Sequence, residues 1–160
     1  MAEEKETKLA QAVYNDICGM LDEKGIKYTR HDDDLVISCT VRGEDIPMDI
    51  IIFVHEKQQI VRILSPMPFT VPEDKRMDMA VAVNVANYGI MDGSFDYDIS
   101  DGDVRFRLTS SYRESILSKE LFDYMFMVSA FTIDEYNDRF LMLAKGMMSL
   151  EKFIEMDRGE

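Results

Sequence analysis

The strongest constraint on this chain is a change in hydrophobic period. Leu35, Ile37, Cys39 and Val41 alternate with Val36, Ser38, Thr40 and Arg42. A period of two sends successive side chains to opposite faces, which predicts a half-buried strand. After Gly43-Glu44-Asp45, Met48 to His55 reads as a second strand. Beyond a turn near Lys57-Gln58, Ile60 to Ser65 reads as a third. Connections this short join antiparallel neighbours. Ile51, Phe53, Ile60 and Leu64 fall on the face opposite Ile50, Ile52, Val54, Val61 and Ile63, so both faces carry apolar side chains. An antiparallel sheet ordinarily alternates more cleanly. Either helices cover both faces, or the second face meets a partner or another copy of the chain.

Helical periods flank this meander. Between Lys5 and Lys24, Leu9, Val13, Ile17, Met20 and Leu21 form the stripe of an amphipathic helix. Gly25 suits the left-handed residue past its end, with Ile26 folding back. Pro66, Pro68 and Pro72 are expected to end the meander. Thr70 and Glu73 have the spacing of a capping box that opens a helix to about Tyr88. Its Met77, Met79, Val81, Val83 and Val85 leave little polar face, so broad burial is expected, with partners required for Asn84 and Asn87.

Asp101-Gly102 signals a two-residue type I′ hairpin. That turn would set Ile99 opposite Val104, Tyr97 opposite Phe106 and Phe95 opposite Leu108. On the other face it would set Asp98 against Arg105 and Asp96 against Arg107. Ser118 precedes a helix bearing Leu121, Phe122, Met125, Phe126 and Val128. A second capping box, Thr132 with Glu135, predicts a break near Phe131–Thr132. Tyr136, Phe140, Leu143 and Met147 then continue in helical phase, and residues 151–160 are expected to fray. The expected architecture is one α+β domain over 1–160, in the order α-βββ-α-ββ-α. Its antiparallel sheet has five strands, or six if Ile26–Arg30 adds an edge.

Charge narrows the function. The 160 residues carry 18 Lys+Arg against 31 Asp+Glu, a net charge of −13. Such a chain repels phosphate backbones unless a basic stripe compensates, and none is evident, so no nucleic-acid partner is expected. No apolar run approaches the roughly 18 residues of a membrane span, and the acidic start does not resemble a secretory signal. Cys18 and Cys39 phase into the core as small hydrophobes, which fits a cytoplasmic setting.

Chemistry-bearing motifs are sparse. Asp96, Asp98 and Ser100 mimic the first positions of a calcium loop, but Asp101 and Arg107 stand where glycine and glutamate are needed. His31 with Asp32–Asp34 reads as a solvated acidic connection, and His55 lacks an evident nucleophile. The eight glycines form no phosphate-binding loop. No catalytic residue, metal ligand or cofactor is assigned, and an enzyme is not expected. Methionine is abundant, 13 residues, and reads as core filler at helical spacing rather than as an adaptable binding surface.

Several segments together carry a resemblance. Pro68-Phe-Thr-Val-Pro72 leads into a helix bearing Asn84-Val-Ala-Asn87. Gly93-Ser-Phe-Asp-Tyr-Asp and Asp101-Gly-Asp-Val-Arg-Phe-Arg follow, then Ser118-Lys-Glu-Leu and Asp134-Glu-Tyr. From about Leu9 to Gly146 the chain resembles the YbjN domain family, also labelled bacterial sensory transduction regulators. The resemblance implies a fold like that of type III secretion chaperones, small acidic α+β proteins that often dimerise and bind extended client segments. It implies no active-site residues.

The expectation is therefore a non-enzymatic, cytoplasmic protein-interaction module with a regulatory or secretion-chaperone-like role. Its partner would be a protein or client segment, bound on Ile51, Phe53, Ile60 and Leu64 with Arg62 at the rim, and a homodimer stays open. The alternative is a small-molecule-sensing domain with a pocket between the sheet and the methionine-rich helices.

Overall fold

A computed structural model describes residues 2–113 and 117–159. Among them are α1 (Ala2–Glu23), β1 (Tyr28–His31), β2 (Val36–Val41), β3 (Met48–His55) and β4 (Ile60–Thr70), followed by α2 (Arg76–Gly89), β5 (Ser94–Asp98), β6 (Asp103–Ser111), α3 (Lys119–Ala144) and α4 (Leu150–Arg158). The six strands form one antiparallel sheet in the order β1-β2-β3-β4-β6-β5. The edge strand is present, at Tyr28–His31 rather than Ile26–Arg30.

Helix α1 ends as its sequence implies. Gly25 adopts φ +67, and the Ile26 amide donates back to Leu21 O at 3.0 Å. Its stripe of Val13, Ile17 and Leu21 is buried, together with Tyr14 and Cys18. The buried strand residues belong to one alternation: Ile37 and Cys39, Ile50, Ile52 and Val54, Val61 and Ile63, then Val104, Phe106 and Leu108. These join the buried sides of the four helices in one core. The helices therefore pack on one face of the sheet, and its other face stays open.

Strand β4 runs through Pro66 and Pro68 instead of stopping at them. Proline lacks the N–H that a central ladder needs, so it is confined to edges and bulges. Here the β3 ladder ends at Ile51–Leu64, and the pairing with β6 is irregular between Pro66 and Thr70. Pro66, beyond the end of the β3 ladder, is the last residue paired with β6 before that irregularity, opposite Arg105, and Pro68 falls inside it. Thr70 consequently remains a strand residue opposite Asp103 and caps no helix. The next element is a single 3-10 turn, Glu73–Lys75, with Pro72 at its N-cap and no side-chain cap.

The β5–β6 hairpin forms, but two residues out of the expected register. Phe95 faces Phe106, Tyr97 faces Val104, Asp96 faces Arg105, and Asp98 faces Asp103. Ile99 to Gly102 make a four-residue loop, closed by Gly102 N–H to Asp98 O at 2.8 Å. A slip of two preserves faces, so apolar pairing looks equally good in both registers, while charge pairing alone favours the expected one, because the observed register sets Asp98 against Asp103. Tertiary contact decides between them. Gly102 (φ +84) lies against Val71, whose O would sit 2.4 Å from any Cβ there, and Val71 N donates to Gly102 O at 3.0 Å.

Three helical expectations are also corrected. In α2 only one side is buried (Met79, Ala82, Val83, Ala86), while Met77 and Val81 are exposed. Asn84 is exposed, whereas Asn87 clamps the β5 backbone, accepting from Phe95 N at 2.7 Å and donating to Phe95 O at 2.9 Å. Helix α3 is continuous across Phe131–Thr132. Its buried stripe of Phe122, Met125, Phe126, Ser129, Ile133, Tyr136 and Phe140 keeps one phase, so nothing requires a break. The 151–160 segment is not a frayed tail: it contributes to α4, capped by Ser149 and anchored by fully buried Phe153 (Glu160 lies outside the described residues).

The methionines divide between the two readings. Met48, Met67, Met79 and Met125 are buried, and Met20 and Met148 pack against the core. Met77, Met91, Met127 and Met147 are exposed, the last lying beyond the end of α3.

Candidate functional site

The five residues singled out in the sequence come together on the open face of the sheet. Ile51, Phe53, Ile60, Arg62 and Leu64 are all half-buried and lie outside the core that the helices and the other sheet face share among the described residues. Register explains the grouping. Ile51 pairs with Leu64, Phe53 with Arg62, and His55 with Ile60, so three cross-strand rows lie side by side at the middle of the sheet. Val36 extends the Phe53 row on one side and Thr109 on the other.

Phe53 is the hub. The Arg62 guanidinium carbon lies 4.9 Å from its ring centroid, a cation–π contact, and the His55 ring stacks on it at 5.9 Å. Burial, followed by the charge of Arg62, holds His55 below the usual imidazole range. Its Nε2 and the Nε of Arg62 are both buried without a hydrogen-bond partner among the described residues. Towards β6, Arg107 grips Asp96 through Nε (2.8 Å) and Nη2 (3.0 Å), and Arg105 Nε lies 3.8 Å from the same carboxylate. The hydrogen bond from Arg107 lowers the Asp96 pKa.

Sequence reasoning left His55, Arg105 and Arg107 outside this surface, although period-two alternation puts them on the same face. At its other end, β1 covers β2 only from Val36 to Cys39. A concavity of about 570 Å³ opens there, lined by Tyr28, Thr40, Asp49, Ile51 and their neighbours.

The remaining candidates are occupied otherwise. Asp32 accepts from Arg30 (2.8 Å) and from the Tyr14 hydroxyl (3.0 Å), and His31 Nε2 lies 3.3 Å from Ser38 Oγ. In the calcium-like stretch Asp96 serves the arginines, while Asp98 takes the Ser100 amide and hydroxyl at 2.9 and 2.6 Å. No His, Cys, Asp and Glu cluster suited to a metal occurs among the described residues. Both cysteines are free and buried. Burial pushes the Cys39 thiol up to about 11 and raises Cys18 as well, which disfavours the nucleophilic thiolate. The space between sheet and helices is filled by Phe95, Phe106, Tyr136, Phe140 and Phe153. Among the described residues no helix is long and apolar enough to cross a membrane.

Comparison with known proteins adds the following. The YbjN family model, described as "Putative bacterial sensory transduction regulator", matches residues 14–142. No curated protein matches the chain. The crystal structure of YbjN from E. coli is similar with a TM-score of 0.57 at 12% identity, covering 79% of this chain and 92% of that one. A chain of the ExsC–ExsE complex is similar with a TM-score of 0.59 at 11% identity, covering 81% and 94%. Identities this low establish fold and no more. The α+β, secretion-chaperone-like fold expected from the sequence is the one present. With most of its length matched by the family's own model, the chain belongs to the YbjN family.

Proposed function

We propose that this chain is a protein-interaction module of the cytoplasm, regulatory or secretion-chaperone-like in role, which docks a partner or an extended client segment on the open sheet face. One observation carries the reading. Ile51, Phe53, Ile60 and Leu64 form a contiguous apolar surface at the sheet centre, where strands ordinarily present polar side chains to water. Arg62 borders it. The family's regulator description and a fold shared with a chain of a two-protein complex support a binding role. Buried thiols of raised pKa and engaged carboxylates support binding over catalysis. Two free cysteines suit a reducing compartment.

Site-specific photocrosslinking tests the surface. Benzoylphenylalanine placed at position 51 or 60 is expected to capture the partner in cells of the source organism. The same group at exposed positions 81 and 88 of α2 is expected to capture little. Adducts formed from α2 alone would refute the sheet-face assignment. Adducts of the chain with itself would make the face a homodimer interface instead.

A further inference from the structure

The whole chain carries −13, and the open face mixes both signs: Arg62, Arg105 and Arg107 share it with Asp49 on β3, Asp96 and Asp98 on β5 and Asp103 on β6. Arg105 and Arg107 share the Asp96 carboxylate. Arg62 has no ion-pair partner among the described residues: its guanidinium rests on Phe53 and its Nε is buried without an acceptor. The neighbouring His55 Nε2 is a second buried orphan. Buried polar atoms are nearly always satisfied, and the Arg62 guanidinium, which can only donate, has room for an acceptor supplied from outside.

Resting on the docking surface proposed above, we infer that Arg62 anchors a carboxylate of the partner, which is an extended segment alternating apolar and acidic side chains. The rows set the pattern. The Phe53–Arg62 row lies between the Ile51–Leu64 row and the His55–Ile60 row. A segment laid along β4 therefore meets apolar, cationic and apolar surface at a two-residue spacing of about 7 Å. Desolvation by the flanking apolar residues strengthens the central charge pair. A guanidinium is suited to this role because it engages a carboxylate through two parallel N–H donors while its plane stays stacked on an aromatic ring.

Selection of phage-displayed random dodecapeptides on the immobilised full-length chain tests this, with recovered peptides measured by fluorescence anisotropy. Peptides bearing Asp or Glu between apolar residues are expected. Arg62→Gln, checked for an unchanged melting curve, is expected to weaken them about tenfold. Converting the peptide carboxylate to its amide is expected to weaken wild-type binding by the same factor and to add nothing in Arg62→Gln, the signature of one shared contact. Apolar peptides without acids, sensitive to Phe53→Asp but not to Arg62→Gln, would overturn the acidic anchor and leave the docking surface standing. Binding indifferent to both substitutions, or no recovery above background, would overturn the surface as well. A wild-type dimer that sediments as a monomer after Arg62→Gln would make the occupant a second copy and overturn the foreign segment.

Discussion

Phe53→Asp is expected to leave the protein folded while lowering its affinity for the partner at least about a hundredfold. The two effects separate because Phe53 is half-buried on the open face and contributes nothing to the helix–sheet core. Losing its contact with Arg62 costs roughly 0.5–1 kcal/mol. A carboxylate in its place stands beside that guanidinium and regains a similar amount as an exposed ion pair, about 0–1 kcal/mol. Loss of the ring's partly buried area and of strand propensity adds about 1–2 kcal/mol, so urea denaturation should differ from wild type by about 1–3 kcal/mol, short of a typical total of about 5–15 kcal/mol. Binding has no such compensation. A central aromatic anchor is removed, and the new carboxylate repels an acidic segment while occupying the arginine that would receive it. Losses of about 2–4 kcal/mol are typical of such hot spots, and 2.7 kcal/mol is a hundredfold. Titration of the crosslinked partner segment into both proteins by calorimetry measures the difference.

Phe140→Ala is expected to act in the opposite sense and to destabilise the fold by about 3–5 kcal/mol. Phe140 is fully buried where three layers of the core meet. It stands edge-on to Phe95 of β5 at 5.0 Å, and it stacks with Tyr136 of α3 at 5.7 Å and with Phe153 of α4 at 5.5 Å. Truncation opens a cavity that none of these rings can fill without leaving the others. Against a typical total of about 5–15 kcal/mol the loss is large, and at this chain length it corresponds to a melting temperature lower by about 6–20 °C. Phe131→Ala is the control. That ring sits on the same helix but is 67% exposed, and its removal should change stability by no more than about 0.5 kcal/mol. Circular dichroism during urea and thermal unfolding reads both variants.

The contrast between Phe53 and Phe140 also shows how much the sequence disclosed. Alternation in the strands was legible because each face has a period of two, and with it came the doubly apolar centre and the grouping of all five candidate residues. What local pattern cannot fix is position along a strand. Phe95 meets Phe106 rather than Leu108 because the Val71 backbone packs against Gly102, a contact between segments 31 residues apart. The Arg107–Asp96 ion pair nevertheless survives as a diagonal contact at 2.8 Å. Thr70 and Glu73 have the letters of a capping box, but pairing of Thr70 with Asp103 keeps the strand going. Thr132 and Glu135 have them too, and the unbroken burial of Ser129, Ile133 and Tyr136 outweighs the local signal. Helix α4 was missed because one aromatic, Phe153, supplies its fully buried anchor, too little for a periodic pattern. The arginine cluster was half-read. Arg105 and Arg107 were placed outside the core, but their continuity with Arg62 depends on the β4–β6 pairing, which no local pattern contains.

The most direct test of the docking face uses isoleucines adjacent in sequence that point opposite ways. Ile51 and Ile60 lie on the open face, while Ile50, Ile52 and Ile63 are fully buried beneath the helices. In a sample with 13C-labelled isoleucine methyl groups, addition of the partner segment is expected to shift or broaden Ile51 and Ile60. The signals of Ile50, Ile52 and Ile63 should stay in place. Perturbation of the buried three with Ile51 and Ile60 unmoved, or of none of the five while the segment binds, would contradict the account.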